Sequence, residues 1–305
     1  MNSTTFAKVI VNPAAGAGRT GRLWPEIMGV IKDNGLRFEH KLTEAPGHAV
    51  ELAREAAKQG YELVVAVGGD GTIHEIVNGL YSSGCLPDAL LGIVSTGTGS
   101  DYIRTIGVPR AYEDACRRFI EPKIRAVDLG IVVYRRHCGT AERIFVNFAG
   151  VGFDAEIVRR TTQQFKSLGA LPSYLMGALT TLVTYKNKDV SVKIDGVEDH
   201  RRVCTIITNN GRYGGGGMYT APNAELSDGF FDVMIVGDIS KPDFLVSLPR
   251  LYKGTHLTHP KVTMKPAKEI EIHAKQKMSL QADGELLGEV PAHIRILPSA
   301  LKIIV

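Results

Sequence analysis

At 305 residues the chain is long enough for two ordinary domains or one large one. With 44% hydrophobic and 22% charged residues and no low-complexity tract it reads as globular, which excludes intrinsic disorder and collagen-like repetition. Lys and Arg number 36 against 32 Asp and Glu; a balance of +4 is too slight to argue for nucleic acid as a partner, though it suits contact with an anionic membrane surface.

The first five residues carry no charged-then-apolar leader pattern, and a first strand is predicted within 6–11, chiefly Lys8 to Val11. A helix at 22–34 ends at Gly35, a second strand follows at 37–42, and a helix at 46–59 closes at Gly60. A buried strand at 63–67, a helix at 74–81, a strand at 90–95 and a helix at 111–119 complete an alternation that predicts an α/β domain with a parallel sheet over residues 1–130.

Beyond Asp128 the texture changes to β-branched runs punctuated by Gly, Asn and Asp, which predicts a β-rich, antiparallel, sandwich-like second domain over 131–295. Its strands are expected at 129–134, 144–149, 190–194, 203–208, 230–236, 262–264, 269–273 and 278–282. A helix at 168–185 interrupts them, with Leu168, Leu171, Leu175, Leu179 and Leu182 at helical spacing. That stripe suits core packing, the simpler reading, or a lipid-facing surface. The apolar tail at about 296–305 is expected to pack back on the first domain.

No uncharged apolar run approaches the roughly 20 residues that a membrane-spanning helix needs, so no transmembrane segment is expected. Cys85, Cys116, Cys138 and Cys204 are scattered without CxxC spacing, which predicts neither a zinc site nor a disulfide framework and points to a reducing cytoplasm.

The chemistry concentrates in loops. In the stretch from Val64 to Glu75 a buried strand enters the glycine-dense turn Gly68-Gly69-Asp70-Gly71-Thr72, which opens a helix. Such a turn aims successive backbone N–H groups at one anion, and glycine lets phosphate approach and positive φ be reached. Asp70 would repel a bare phosphate, which favours a nucleotide with Mg²⁺; an ordinary turn with Asp70 or Thr72 capping the helix is the competing reading. Two companion loops, residues 11–18 after the first strand and 95–102 after the fourth, belong on the same carboxyl edge of a parallel sheet. Together they predict one polyphosphate site.

This ordered set, VNPAAG, GGDGT and GTGSDYIR, resembles the diacylglycerol kinase catalytic domain, a family shared by bacterial diacylglycerol and phosphatidylglycerol kinases, sphingosine kinases and ceramide kinases. The likeness continues through AVDLG at 126–130, NFAGVGFD at 147–154, GGGM at 215–218, APNA at 221–224, SDG at 227–229 and QADGE at 281–285. It implies an ATP-dependent lipid kinase, with diacylglycerol the first expectation for the acceptor and phosphatidylglycerol or a sphingoid base as alternatives. It further implies that Asn12, Pro13, Ala14, Ala15, Gly16, Thr43, Gly68, Gly69, Asp70, Gly71, Thr72, His74 and Thr98 line the nucleotide. Asp70, Asp101 and Asp128 would gather around the phosphates, Mg²⁺ and acceptor hydroxyl. Glu285 would accept the hydroxyl proton, with Asp283 orienting it or binding the hydroxyl; the residues alone equally read Asp283-Gly284 as a hairpin turn. A second, structural Mg²⁺ is implied near Glu225, Asp228 and Phe230, partly on backbone carbonyls.

The sequence departs from the family at His74 and Ser100, where Asn is frequent, and a structural or solvated histidine is the simpler reading of His74. Arg104 suits phosphate or an exposed structural role, and Arg159, Arg160 and Lys166 suit an anionic membrane or a plain solvated face. The expected enzyme is cytoplasmic, meets its lipid at the membrane surface with the active site between its two domains, binds no nucleic acid, and is compatible with a homodimer. Two rivals stand: NAD kinase, which shares the pattern at 68–72, and a nucleotide- or lipid-binding regulator without turnover. The GTGSD loop, the GGGM segment and the late Asp-Gly-Glu favour the lipid branch.

Overall fold

A computed structural model describes residues 6–136, 139–164 and 170–305, the side chains of 164–175 excepted. Met1 to Thr5, Cys138, Lys166 and Leu168, together with the Leu171 and Leu175 side chains, therefore lie outside the described residues. The chain divides into two compact units, one comprising Met1–Leu129 with Pro298–Val305, the other Gly130–Leu297.

The first unit alternates β1 (Phe6–Val11), α1 (Arg19–Asp33), β2 (Arg37–Leu42), α2 (His48–Lys58), β3 (Leu63–Gly68), α3 (Asp70–Ser82) and β4 (Leu90–Ser95), then two short helices, α4 (Asp101–Ile106) and α5 (Tyr112–Arg117). β2, β1, β3 and β4 pair in that order, each pair parallel, and the chain end at Lys302–Ile303 adds beside β4 in the same sense. Every residue of β3 and β4 is buried, as uninterrupted apolar runs covered on both faces must be. On α1 the spacing of Trp24, Ile27 and Ile31 puts all three on one face, and they pack with Val9, Val65 and Val94 of the sheet. This scaffold holds the β1, β3 and β4 carboxyl ends side by side.

The second unit carries β5 (Ile124–Arg136, entering from the first unit), β6 (Gly139–Phe145), β7 (Phe148–Gly152), α6 (Phe153–Gln164), α7 (Ala170–Thr184), β8 (Lys188–Ile194), β9 (Val197–Asn209), β10 (Phe231–Gly237), α8 (Lys241–Lys253), β11 (Val262–Ala267), β12 (Glu269–Ala274), β13 (Ser279–Ala282) and β14 (Glu285–Ile304). The order β11–β10–β9–β7–β13–β14 is antiparallel throughout, and β12 and β8 close a second path from β14 back to β9. Alternate residues of these strands, among them Val151, Ile206, Val233, Ile270, Ile272, Leu280 and Ile294, share one core. Phe145 stacks on Phe231 there with centroids 5.5 Å apart.

Three features depart from the sequence reading. The single strand expected at 144–149 is two, because the backbone N–H groups of Val146, Asn147 and Phe148 turn to the Asp283 carboxylate instead of a strand neighbour. β14 runs for 20 residues through Gly288, Pro291 and Pro298, residues that break the alternation by which a strand is recognised. α4, α6 and α8 fall where the sequence reading places no helix; α8 buries none of its residues fully and contains Pro249, although Ser240 caps it in the usual way by accepting the Asp243 N–H at 3.3 Å.

Candidate active site

In the first unit the loops after β1, β3 and β4 are knitted together by backbone proximity. Asn12 donates its N–H to Val67 O and its side-chain amide to Thr72 Oγ1 at 3.0 Å, while its Oδ1 accepts the Ala14 N–H. Thr20 and Thr96 join their hydroxyls at 2.5 Å in the interior. A Cβ on Gly97 would stand 2.6 Å from Gly69 Cα, and one on Gly16 2.6 Å from Thr96 O, so glycine at these places is demanded by loop-on-loop packing. Positive φ was expected within the 68–71 turn, yet Gly69 has φ −104°; the left-handed residues are Gly16, Ala17 and Gly18 in the first loop and Ser100 in the third. Ser100 is held in that conformation by hydroxyl bonds to Ser95 and Gly97 O.

Asp70 spends both carboxylate oxygens on the next loop: Oδ2 accepts the Asp101 N–H at 3.1 Å and Oδ1 the Tyr102 N–H at 3.3 Å, capping α4. A carboxylate in this turn thus has a structural reason that local sequence does not reveal. The same side chain still faces a shared spot with Asp101, since a Cβ on Gly99 would lie 3.2 Å from Asp70 Oδ2 and 4.0 Å from Asp101 Oδ2. Two carboxylates converging beside a glycine-walled loop form a hard-oxygen donor set that fits Mg²⁺. Arg104 approaches Asp101 at 3.9 Å.

The other expected nucleotide residues divide. Ala14, Gly71 and Thr98 are exposed on the loops, Pro13, Ala15 and Thr43 are half-buried, and the Thr43 N–H ties its segment to Val11 O. His74 is fully buried, its ring 3.3 Å from the Asn78 side-chain amide, because the start of α3 turns this position inward. Thr72 is also buried and serves Asn12. Asp128 is 1% exposed, and its Oδ1 takes the Ser299 N–H at 2.7 Å, fixing the returning chain end.

In the second unit Asp283 and Gly284, at φ 47° and 86°, form a two-residue turn that pairs Ala282 with Glu285. The hairpin turn that the residues alone suggest is therefore present, with Glu285 as the first residue after it. Asp283 accepts the N–H groups of Val146, Asn147 and Phe148 at 2.7, 2.9 and 3.0 Å. Gln281 accepts the Gly284 N–H at 2.8 Å and donates to Asp154 Oδ2 at 2.9 Å, while Thr205 donates to Asp154 Oδ1 at 2.6 Å. Burial pushes the Asp154 carboxyl up, against the pull of these two hydrogen bonds. Glu285 receives Arg143 Nη2 at 2.5 Å and keeps its side chain 36% exposed.

The segment expected to hold a second metal is less committed. Glu225 lies 3.6 Å from Arg212, Asp228 Oδ1 accepts the Phe230 N–H at 3.0 Å, and the Phe230 ring has Lys268 Nζ 4.7 Å from its centroid. Burial, then the charge of Asp228, pushes the Asp232 carboxyl up. Asp228 and Asp232 repel each other, a charge that a hard cation would relieve, although no cluster of three or more His, Cys, Asp or Glu suited to a metal occurs among the described residues.

A family model described as the diacylglycerol kinase catalytic domain matches residues 7–132, and one described as the YegS C-terminal NAD kinase beta sandwich-like domain matches residues 147–305. The chain belongs to the diacylglycerol kinase family of lipid kinases. A Bacillus subtilis (strain 168) diacylglycerol kinase is 29% identical over 289 residues, covering 93% of this chain and 91% of its own. One from Staphylococcus carnosus (strain TM300) is 27% identical over 297 residues, covering 97% and 94%. A crystal structure from Bacillus anthracis str. Sterne, described as that of a candidate diacylglycerol kinase, superposes with a TM-score of 0.81 at 25% identity over 100% of this chain and 96% of that one.

In this lipid kinase several positioning residues escaped the sequence reading. Glu75, within the glycine-loop motif, accepts the N–H groups of Gly47 and Ala49 and so caps α2 beside the Thr43 segment. Asp154 and Gln281 lie within NFAGVGFD and QADGE, and only the hydrogen-bond chain reveals what they hold. Arg143 carried no signal: it is one of 36 Lys and Arg residues and meets Glu285 from 142 positions away.

Proposed function

We propose that this lipid kinase transfers the γ-phosphate of ATP to the free hydroxyl of diacylglycerol, giving phosphatidic acid. The observation that carries the reading is the convergence of Asp70 and Asp101 beside three glycine-packed loops at the carboxyl ends of β1, β3 and β4. Loops in that position are where parallel α/β sheets bind phosphates. In this reading residues 1–130 are the nucleotide domain and 131–295 the lipid domain. Asn12 to Gly16, Thr43, Gly68 to Thr72 and Thr98 line the nucleotide, chiefly through backbone. Asp70 and Asp101 would hold the Mg²⁺ that accompanies ATP, and that ion would neutralise charge on the transferring phosphoryl group. Asp128 supports this edge from within.

Glu285 accepts the acceptor-hydroxyl proton; Arg143 fixes its carboxylate and Asp283 braces the turn that presents it. Glu225, Asp228 and the Phe230 carbonyl are assigned to a structural Mg²⁺. The enzyme works in the cytoplasm and meets its substrate at the membrane surface. The diacylglycerol assignment is supported by the B. subtilis and S. carnosus proteins being diacylglycerol kinases along more than nine-tenths of the length of each.

The test is phosphate transfer from labelled ATP with Mg²⁺ to a panel of diacylglycerol, phosphatidylglycerol, sphingosine and NAD. Labelling of diacylglycerol is expected, and Glu285→Gln should lower its rate by about 10²–10⁴-fold. Preferential labelling of another acceptor sinks the diacylglycerol assignment, and an unimpaired Glu285→Gln variant sinks the base.

A further inference from the structure

α7 and α8 share their inner packing and leave their outer faces bare. Leu182 of α7 and Phe244 of α8 enter one apolar cluster with Phe153, whose ring meets both Tyr185 and Phe244 edge-on. Lys241, at the start of α8, donates to the Val183 carbonyl near the end of α7, so the two helices adjoin. On the outside Met176, Leu179 and Val183 follow helical spacing along one face of α7 at 39, 57 and 63% exposure. Leu245, Val246 and Tyr252 of α8 are 49, 73 and 60% exposed. Isolated exposed leucines are ordinary; two adjoining helices that both point large apolar side chains outward are not.

The charges around this face select its partner. The sequence of α7 contains no charged residue from Ala170 to Thr184. Lys186 follows it, Lys241 begins α8, and Arg250 and Lys253 end α8, all exposed. Asp243, the acid within α8, is turned onto His259 at 3.1 Å. An apolar face rimmed by cations matches the boundary of an anionic bilayer, where side chains such as Leu and Val enter the acyl margin while Lys and Arg meet phosphates. At 15 residues α7 is about 22 Å long, short of the roughly 30 Å hydrocarbon core. It can lie in the surface and cannot span it.

We infer that the outer face of α7 and α8 is the docking surface by which this enzyme lies on an anionic phospholipid bilayer. The inference rests on the acceptor being a membrane lipid. Its partner is the bilayer, recognised by apolar insertion and phosphate contact; a second copy of the chain is the rival occupant.

The experiment is co-sedimentation of the full chain, without nucleotide, with phosphatidylcholine vesicles and with mixed phosphatidylcholine–phosphatidylglycerol vesicles. Wild type should bind the anionic vesicles, less so as salt rises. Leu179→Glu with Val183→Glu should weaken that binding at least about tenfold, and so should Val246→Glu combined with Tyr252→Glu. Arg250→Glu with Lys253→Glu should abolish the preference for anionic over neutral vesicles. Transfer to long-chain diacylglycerol in vesicles should fall in step, and transfer to a short-chain, water-dispersed diacylglycerol should stay at the wild-type rate.

Glutamate variants with unchanged circular dichroism that bind anionic vesicles like wild type overturn the proposal. It also falls if wild type is a dimer that these substitutions split while vesicle binding is unaltered. Should the paired variants misfold, Leu179→Ser and Val246→Ser singly are expected to weaken binding in the same direction, and equal binding refutes it. Wild type that sediments with vesicles yet phosphorylates no diacylglycerol of either kind would instead defeat the acceptor assignment.

Discussion

Replacing Asp283 by Asn separates a brace from a group that acts on substrate. The native carboxylate takes three backbone N–H groups, Val146 on one oxygen at 2.7 Å and Asn147 and Phe148 on the other at 2.9 and 3.0 Å. Hydrogen bonds to a charged acceptor contribute about 1.5–3 kcal/mol each. Asn can keep its oxygen toward Asn147 and Phe148, but its NH₂ then opposes the Val146 N–H donor to donor. Asn also tolerates the left-handed φ of 47° that Ala would strain, so the substitution isolates the carboxylate. With water able to replace part of the loss at this half-buried position, the expected destabilisation is about 2–4 kcal/mol. Because the turn carries Glu285, a displacement near 1 Å should lower kcat by on the order of 10²-fold while KM for ATP holds. Urea unfolding and steady-state kinetics with Mg-ATP and diacylglycerol in mixed micelles measure both. A variant with the wild-type unfolding midpoint and a kcat reduced by about 10³-fold would refute the brace and place Asp283 on the substrate.

The remaining predictions concern separate parts of the molecule. Gly97→Ala sets a Cβ 2.6 Å from Gly69 Cα and should cost about 1–3 kcal/mol with weaker binding of a non-hydrolysable ATP analogue, read by thermal shift and calorimetry. Gly71→Ala meets nothing within 4 Å, so the fold should tolerate it; nucleotide affinity should drop, and unchanged affinity would remove Gly71 from the phosphate cradle. Gln281→Leu breaks the link from buried Asp154 to the Gly284 N–H and should lower both stability and kcat without changing KM for ATP, whereas a loss confined to ATP binding would contradict the link. Burial pushes the Glu156 carboxyl up, but hydrogen bonds from Arg159 and Arg160 outweigh it and hold it at about 2 against an ordinary 4.5. Since the folded value is depressed, this contribution is complete above pH ~4.5 and fades as pH falls toward ~2. Solvent around the arginines reduces it to on the order of 1–2 kcal/mol. Glu156→Gln should therefore flatten the acid limb of a stability–pH curve, and an unchanged limb would show that the cluster adds nothing.

Much of the frame was legible because local physics writes it plainly. The run from Leu63 to Val67 admits little but a strand buried on both faces, and the alternating β-branched stretches at 190–194 and 269–273 lie within β8 and β12. The loops were legible for the same reason, since glycine density marks backbone that something must approach closely. What approaches Gly69 and Gly16 was not legible: each is pressed by another loop, Gly97 in one case and Thr96 in the other.

The chain by itself determined where strands, glycine loops and acidic residues fall, and its ordered motifs determined the family. Only the tertiary structure decided what each acid does. Asp70 caps a helix that begins 31 residues later, Asp128 holds an amide 171 residues away, and Asp283 holds amides 135 to 137 residues before it. Those partners are set by the pairing of strands distant in sequence, which no local pattern encodes. The same holds for the described part of α7, where the leucine spacing suits either core or lipid and packing gives Leu182 to the core while leaving Leu179 outside. A helical period marks which residues share a face, but only the neighbours that arrive in space determine which face is covered.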